Sequence, residues 1–300
     1  MLVSEAGFRM QVSRVQHVLV GLFSLVVGAA AVTRADMTIR VHVPQRHDRF
    51  YSGSDKAFLG QAYDWSGVGK STDSRWVTMI SPSYFLSAAH YTPNGNVTFY
   101  EGNDVGGPSH TYSIASGVKV GATDLWLGKL STTLDPSHNI AYYPILMLGA
   151  DSLYPGIELY NYGQQNRVGR NVIDDNGIQI FTEAPSTGMS MYYDYDNNDV
   201  PSVGGDETFL IPGDSGGPSF AVWNNELALL GIHWFNGYEN GEPRQSGDTF
   251  VPAYFNDIRA GMGSESPTAV PEPSTMVLVA VGGLAALLRH RRRRRSVGGV

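Results

Sequence analysis

The chain has 300 residues, enough for one large domain or two small ones, and 42% of them are hydrophobic, which is ample for a core. It has no cysteine, which excludes disulfides and thiolate metal sites, while 35 glycines, 16 tyrosines and only 16% charged residues favour strands and turns over long exposed helices. The net charge of -7 conceals a more acidic body: residues 36–262 carry 12 basic and 25 acidic side chains, which argues against nucleic-acid binding.

The first 35 residues predict a secretory signal peptide. Arg14 precedes an apolar run, Val18–Val32. Small residues at its end, Ala29 and Ala31, or just beyond it, Thr33 and Ala35, have the spacing that signal peptidase recognises. The alternative is a retained N-terminal membrane anchor, for which the apolar run is short. We therefore expect export, with signal peptidase as a processing partner.

The body begins with a polar and aromatic segment, residues 36–64, which we expect to wrap the domain as an arm with short strands. A β-type run, Arg75–Ile80, then ends at a Ser-Pro-Ser turn, and a second run ends in the small-residue sequence Ser87-Ala88-Ala89-His90. A lone histidine is most often structural, and seven others compete here. His90 is nevertheless a candidate general base, because imidazole alone has an unperturbed pKa near neutrality.

Two acidic features follow. Asp124 opens an alternating run, Leu125–Leu130, which predicts a strand with an acid at its start, a position where a turn or cap is the commonest role. Short strands then continue through residues 131–198, where the run Asp194–Asp199 concentrates oxygen ligands suited to calcium. That run lacks the glycine and the final glutamate of an EF-hand loop, so we interpret it as a solvated hairpin and predict neither a metal nor a cofactor.

The stretch Gly213-Asp214-Ser215-Gly216-Gly217-Pro218 is the most specific motif of the chain. Its glycines permit a sharp turn and the close approach of a substrate carbonyl. The amides of Gly213 and Ser215 can then point at one spot and stabilise a developing oxyanion. A serine hydroxyl becomes a good nucleophile only when a base accepts its proton and a third group orients that base.

This hexapeptide resembles the sequence around the nucleophile of chymotrypsin-like (trypsin-like) serine proteases. Ser87–His90 is similar to the segment that ends in the family's base, and Asp124–Leu127 to the segment that begins with its acid. The order His, Asp, Ser fits that family, whereas subtilisins run Asp, His, Ser and α/β-hydrolases Ser, acid, His. The resemblance implies an all-β fold of two six-stranded antiparallel β-barrels over residues 36–262, with His90 as base, Asp124 as its orienting group and Ser215 as nucleophile.

The resemblance also implies a substrate pocket beside the nucleophile. Where the family usually has Ser-Trp-Gly, this chain has His233-Trp234-Phe235, so we expect His233 either to hydrogen-bond Asp124 or to crowd it, and Phe235 to narrow the entrance. Phe209 stands six positions before the nucleophile, where trypsin-type enzymes place an aspartate. These candidate substrate-binding residues predict a preference for apolar or small side chains.

The acid before the nucleophile, Asp214, has no evident partner in the sequence. In many relatives this acid pairs with an N-terminal amine that activation cleavage releases. No start of the Ile-Val-Gly-Gly type follows the predicted signal peptide, so either another residue pairs with Asp214 or the protein is made in its active form.

Residues 263–300 predict a linker followed by a sorting and anchoring segment. Pro271-Glu272-Pro273 precedes an apolar stretch, Met276–Leu288, and then an arginine cluster, Arg289–Arg295. This layout resembles the PEP-CTERM sorting signal, which implies a transmembrane helix and an exosortase-like processing enzyme. A plain C-terminal anchor is the alternative, and the apolar stretch spans only about 20 Å as a helix against a bilayer core of about 30 Å. In both cases the body lies outside the cytoplasmic membrane.

These observations predict an exported serine endopeptidase of the cell envelope or extracellular space that hydrolyses protein or peptide substrates through an acyl-enzyme. Two alternatives remain open at this point. One is a catalytically silent envelope binding protein on a protease scaffold, because His233 and Phe235 are large enough to block the site. The other is an esterase that uses the same three residues.

Overall fold

The computed structural model describes residues 36–195 and 202–271. Within these ranges the chain forms seventeen strands, two short α-helices, α1 (Pro44–His47) and α2 (Phe255–Gly261), and several 3-10 turns. The predicted signal peptide, the predicted C-terminal helix and residues 196–199 of the acidic run lie outside the described residues. The strands are β1 (Thr38–Ile39), β2 (Val68–Ser71), β3 (Trp76–Met79), β4 (Tyr84–Ala88), β5 (Asn96–Tyr100), β6 (Ser109–Lys119), β7 (Leu125–Leu130), β8 (Ile145–Met147), β9 (Glu158–Gly163), β10 (Arg167–Val172), β11 (Ile178–Glu183), β12 (Ser186–Asp194), β13 (Thr208–Phe209), β14 (Pro218–Trp223), β15 (Glu226–Glu239), β16 (Glu242–Phe250) and β17 (Ala269–Pro271).

The first half of the body forms a closed six-stranded barrel with the order β2-β3-β4-β7-β6-β5. Its strands are rich in β-branched and aromatic residues, whose inward side chains, such as Val77, Phe85 and Phe99, are buried completely. The prediction of an all-β fold and of a six-stranded first barrel is confirmed. The antiparallel pairing of β4 with β7 sets Ala88 opposite Leu125, so the residues just beyond those two strand ends meet at one rim.

The second half forms a nine-stranded sheet, and the predicted second closed barrel is not confirmed. Its order is β10-β9-β14-β15-β16-β12-β11, with β8 and β17 attached beside β15. The two end strands, β10 and β11, do not pair within the described residues. Instead β10 meets single bridges from Asp48 and Glu207, so a loop and the N-terminal arm cover its edge.

A shared aromatic core joins the barrel to the sheet. Trp65 stacks on Tyr162 with ring centroids 5.5 Å apart, and Trp76 of β3 meets the same tyrosine edge-on at 5.4 Å. Phe220 of β14 completes the cluster against Trp65. Each fully buried aromatic side chain contributes on the order of 1.5–3 kcal/mol, and together these contacts hold β9 and β14 of the sheet against β3 of the barrel and the segment before β2.

The N-terminal arm is fastened to the sheet, as the sequence predicts for a wrapping segment. β1 pairs with β13, and Arg46 and His47 of α1 bond to Asp206 at 2.6–3.0 Å. Burial raises the pKa of Asp206, but hydrogen bonds from Arg46, His47 and Arg170 outweigh it and hold that pKa well below its usual range. In the described part of the chain, no helix has the length and apolarity needed to cross a membrane.

Candidate active site

The pairing of two barrel strands brings His90 and Asp124 together. His90 follows the end of β4 by two residues and Asp124 immediately precedes β7, so both lie at the rim fixed by the Ala88–Leu125 pair. The Asp124 carboxylate is fully buried and accepts the His90 backbone N–H at 2.8 Å and the His90 Nδ1–H at 2.6 Å. Because a carboxylate only accepts, this second bond fixes the proton of neutral His90 on Nδ1 and leaves Nε2 as an acceptor.

Ser215 reaches the same histidine from the other half of the body. Its Oγ lies 2.9 Å from His90 Nε2, within hydrogen-bonding range of the nitrogen that the Asp124 contact leaves free. The structure thus brings His90, Asp124 and Ser215 into one hydrogen-bonded chain across the junction of barrel and sheet.

The loop that carries Ser215, residues 210–217, packs tightly on the barrel, and this packing requires glycine at Gly216. A Cβ atom there would lie 2.7 Å from Ser87 Oγ and 3.2 Å from the Ala88 nitrogen, and the residue has a φ of 85°, a conformation that favours glycine. The Gly216 N–H donates to the His233 carbonyl at 3.0 Å, which fastens the loop to β15 on its other side. The position of Ser215 is therefore held from both halves of the fold.

The loop leaves two backbone donors free beside Ser215 Oγ. Within the described residues, the amide N–H groups of Gly213 and Ser215 donate to no acceptor. The Gly213 carbonyl, in contrast, is fixed by the Trp76 indole N–H at 3.1 Å and by the side-chain amide of Gln164. Backbone N–H groups without a protein acceptor, close in sequence to a serine hydroxyl, are the groups from which an oxyanion site is built.

Asp214 is satisfied from inside the domain. Its buried carboxylate accepts the backbone N–H of Gln164 at 2.7 Å and that of Ile211 at 2.9 Å. Burial raises the pKa of Asp214, and the two amide bonds oppose that shift. The sequence left the partner of Asp214 open, and no motif marks Gln164, which precedes it by fifty positions and becomes its neighbour only through the β9–β14 side of the sheet.

A cavity of about 340 Å³ opens beside Ser215. This volume lies at the lower end of the range for ligand sites and suits one or two side chains of a substrate. The cavity is lined by His90, Asp124, Glu183, Ala184, Pro185, Ser186, Leu210, Ile211, Pro212, Ser215, His233, Trp234, Phe235 and Asn236.

The predicted pocket residues fall into different places. Trp234 and Phe235 line the cavity, and the Phe235 ring stacks on Phe181 at 3.8 Å. Phe209 does not line it: the side chain is buried against Tyr195 and Tyr238, at ring distances of 5.7 and 5.1 Å. Alternation along the strand and loop before Ser215 turns this phenylalanine into the sheet.

His233 lines the cavity but, within the described residues, makes no hydrogen bond to Asp124. Its buried ring faces away, with Nδ1 2.8 Å from Asp248 Oδ1 and Nε2 3.2 Å from the Tyr162 carbonyl oxygen. Asp248 also accepts a hydrogen bond from Ser219 and one from the Tyr193 hydroxyl at 3.1 Å. The sequence could not reveal this network, because His233 and Asp248 become neighbours only when β15 and β16 pair in the folded sheet.

The acidic and histidine side chains of the described residues can also be compared with the arrangement that a metal ion needs. Within residues 36–195 and 202–271, no cluster of three or more histidine, aspartate or glutamate side chains is arranged to hold a metal ion. The sequence left calcium binding as an alternative for the run Asp194–Asp199, and residues 196–199 of that run lie outside those ranges.

Comparison with known proteins identifies one segment. Residues 269–294 match the PEP-CTERM protein-sorting motif, so the resemblance noted at the C-terminus is confirmed. Signals of this class mark proteins that are exported and anchored at the cell envelope, and they imply processing by an exosortase-like enzyme. No match to the sequence was found among curated proteins.

Proposed function

We propose that this protein is an exported serine endopeptidase with a chymotrypsin-like triad of Ser215, His90 and Asp124. The observation that carries the proposal is the continuous chain of hydrogen bonds from Asp124 through His90 to Ser215, at 2.6 and 2.9 Å. These residues line a cavity, and the Gly213 and Ser215 amides have no acceptor within the described residues, which supports a role in acyl transfer.

The proposed mechanism follows from the direction of each bond. Ser215 Oγ attacks the scissile carbonyl while His90 Nε2 accepts its proton, and buried Asp124 stabilises the resulting imidazolium through Nδ1–H. The amides of Gly213 and Ser215 stabilise the tetrahedral oxyanion. His90 then donates the proton to the leaving amine, and a water molecule, activated by the same histidine, hydrolyses the acyl-enzyme.

The proposal extends to how the protein becomes active. Asp214 already has two amide donors within the domain, so in this proposal the loop that carries Ser215 is formed without a newly released N-terminus. The resemblance to chymotrypsin-like proteases supplies the wider expectation of a double-barrel scaffold, of which the first barrel is the part observed.

The alternative functions rest on weaker support. A silent binding protein stays an alternative if His233 and Phe235 block the site, but the His233 ring bonds to Asp248 and the cavity beside Ser215 keeps about 340 Å³. Esterase activity needs the same three residues and differs only in substrate, so profiling with matched peptide amides and esters distinguishes it.

The test is active-site labelling of the full chain with a fluorophosphonate probe. We expect rapid labelling of the wild type, none of Ser215→Ala and none of His90→Ala. Ser152→Ala, an exposed serine outside the cavity, is the matched control and should label like the wild type. A folded wild-type protein that does not label, or a Ser215→Ala variant that does, contradicts the proposal, and hydrolysis of a peptide library then separates a peptidase from an esterase.

A further inference from the structure

One carboxylate in the cavity, that of Glu183, has no partner among the described residues. Glu183 ends β11, where the hairpin to β12 turns through Ala184 and Pro185, and its side chain is exposed. Within the described residues it makes no hydrogen bond or ion pair. The nearby Lys119 ammonium binds the Ser186 hydroxyl at 2.8 Å and the Pro185 carbonyl at 3.3 Å instead of this carboxylate.

The other polar side chains around the cavity are already engaged by the protein. The three triad side chains bond to one another, and the His233 ring is turned toward Asp248. The Asn236 side-chain amide donates to the Leu210 carbonyl at 2.6 Å. Glu183 is therefore the charged group that this cavity offers to a ligand, and the charge is negative.

The wall beneath Glu183 is aromatic. Phe181 lies two residues before Glu183 on β11 and so shares its face of the strand. The Phe181 ring stacks on Phe235 at 3.8 Å and meets Trp234 edge-on at 5.1 Å. Such a surface accommodates the aliphatic stem of a lysine or arginine, and the ring faces attract its cationic head.

We propose, on the basis of the proposed peptidase function, that Glu183 selects peptide substrates with a lysine or arginine beside the scissile bond. The stem of that residue lies on Trp234 and Phe235, and its charged end pairs with the Glu183 carboxylate. The acidic body of the protein, with 25 acidic against 12 basic residues between positions 36 and 262, adds a long-range attraction for such substrates. The apolar part of the cavity serves the neighbouring side chain of the same peptide.

The test compares tripeptidyl phosphonates in which lysine, or its uncharged analogue norleucine, occupies each position in turn. With the wild-type full chain we expect lysine to raise the inactivation rate about fivefold over norleucine at one position, a preference typical of one solvent-accessible ion pair. The lysine preference should vanish in Glu183→Gln, invert to a preference for norleucine in Glu183→Lys, and weaken as salt is raised. Glu226→Gln, an exposed glutamate outside the cavity, should keep the wild-type ratio.

Equal rates for lysine and norleucine at every position in the wild type would overturn the proposal. A preference that survives in Glu183→Gln would do so as well. A binding experiment tests the cation preference independently of the proposed peptidase activity. In it, the same peptides, as fluorescent amides, are titrated against the Ser215→Ala variant. If no phosphonate reacts but the lysine peptide binds this variant more tightly through Glu183, the peptidase function fails and the cation preference stands.

Discussion

Replacement of Asp214 by asparagine tests whether this carboxylate holds the loop that carries Ser215 in place. The wild-type side chain accepts two buried backbone N–H groups, from Gln164 at 2.7 Å and Ile211 at 2.9 Å. Asparagine offers one carbonyl oxygen, so its amide must face one of these donors and leave it unsatisfied. A buried donor without an acceptor costs about 1–3 kcal/mol. The hydrogen bond that remains is also weaker, because its acceptor is no longer ionised, but this loss is partly offset because no charge is buried in the variant.

We therefore expect Asp214→Asn to lower the free energy of unfolding by about 2 kcal/mol. We also expect fluorophosphonate labelling to slow by at least about tenfold, because Asp214 lies between the Gly213 amide and Ser215. Urea unfolding followed by tryptophan fluorescence measures the first quantity, and labelling of the folded full chain measures the second. Asp151→Asn, at an exposed aspartate, is the matched control. A stability within about 0.5 kcal/mol of the wild type, together with an unchanged labelling rate, would refute the reasoning.

Three further predictions concern the same framework. Asp124→Asn should hold His90 in the wrong tautomer and slow labelling by about 10⁴-fold with an unchanged circular dichroism spectrum; a smaller loss than tenfold contradicts this role. Gly216→Ala should lower the melting temperature by several degrees, because its Cβ would lie 2.7 Å from Ser87 Oγ at a φ of 85°, and a wild-type melting curve would disprove the packing argument. Because the folded-state pKa of Asp206 is lowered, the ionised carboxylate stabilises the fold above the ordinary aspartate pKa of about 3.9, and this contribution declines below it. Urea titrations between about pH 4 and pH 2 should therefore show the free energy of unfolding falling more steeply for the wild type than for Asp206→Ala. An equal fall in both proteins would contradict the lowered pKa.

The local motifs of the sequence predicted much of the framework. The runs around Arg75–Ile80 and Leu125–Leu130 became barrel strands, since alternation of apolar residues with turn residues at the ends is a short-range signal. The prediction that His90, Asp124 and Ser215 act together rested on the order and type of three short segments. The structure places these side chains in one hydrogen-bonded chain, and their chemical role stays a prediction until labelling is done.

Other features depend on contacts between distant residues. The sequence predicted Phe209 in the pocket and left His233 either bonded to Asp124 or crowding it, whereas the fold buries Phe209 and turns His233 toward Asp248. It assigned no role to Glu183, which enters the cavity only because the β11–β12 hairpin reaches across to the barrel, where the Thr187 N–H donates to the Ala122 carbonyl at 2.9 Å.

By itself the sequence determined the all-β character of the body, the three segments that carry His90, Asp124 and Ser215, and the sorting motif at the C-terminus. These features are encoded within a few neighbouring residues. Only the tertiary structure decided that the first barrel closes, that the second half forms a nine-stranded sheet whose end strands do not pair within the described residues, that Asp214 is bonded by the amides of Gln164 and Ile211, and which side chains line the cavity. Strand closure, buried hydrogen-bond partners and side-chain direction are set by packing between residues tens of positions apart, which no local pattern records.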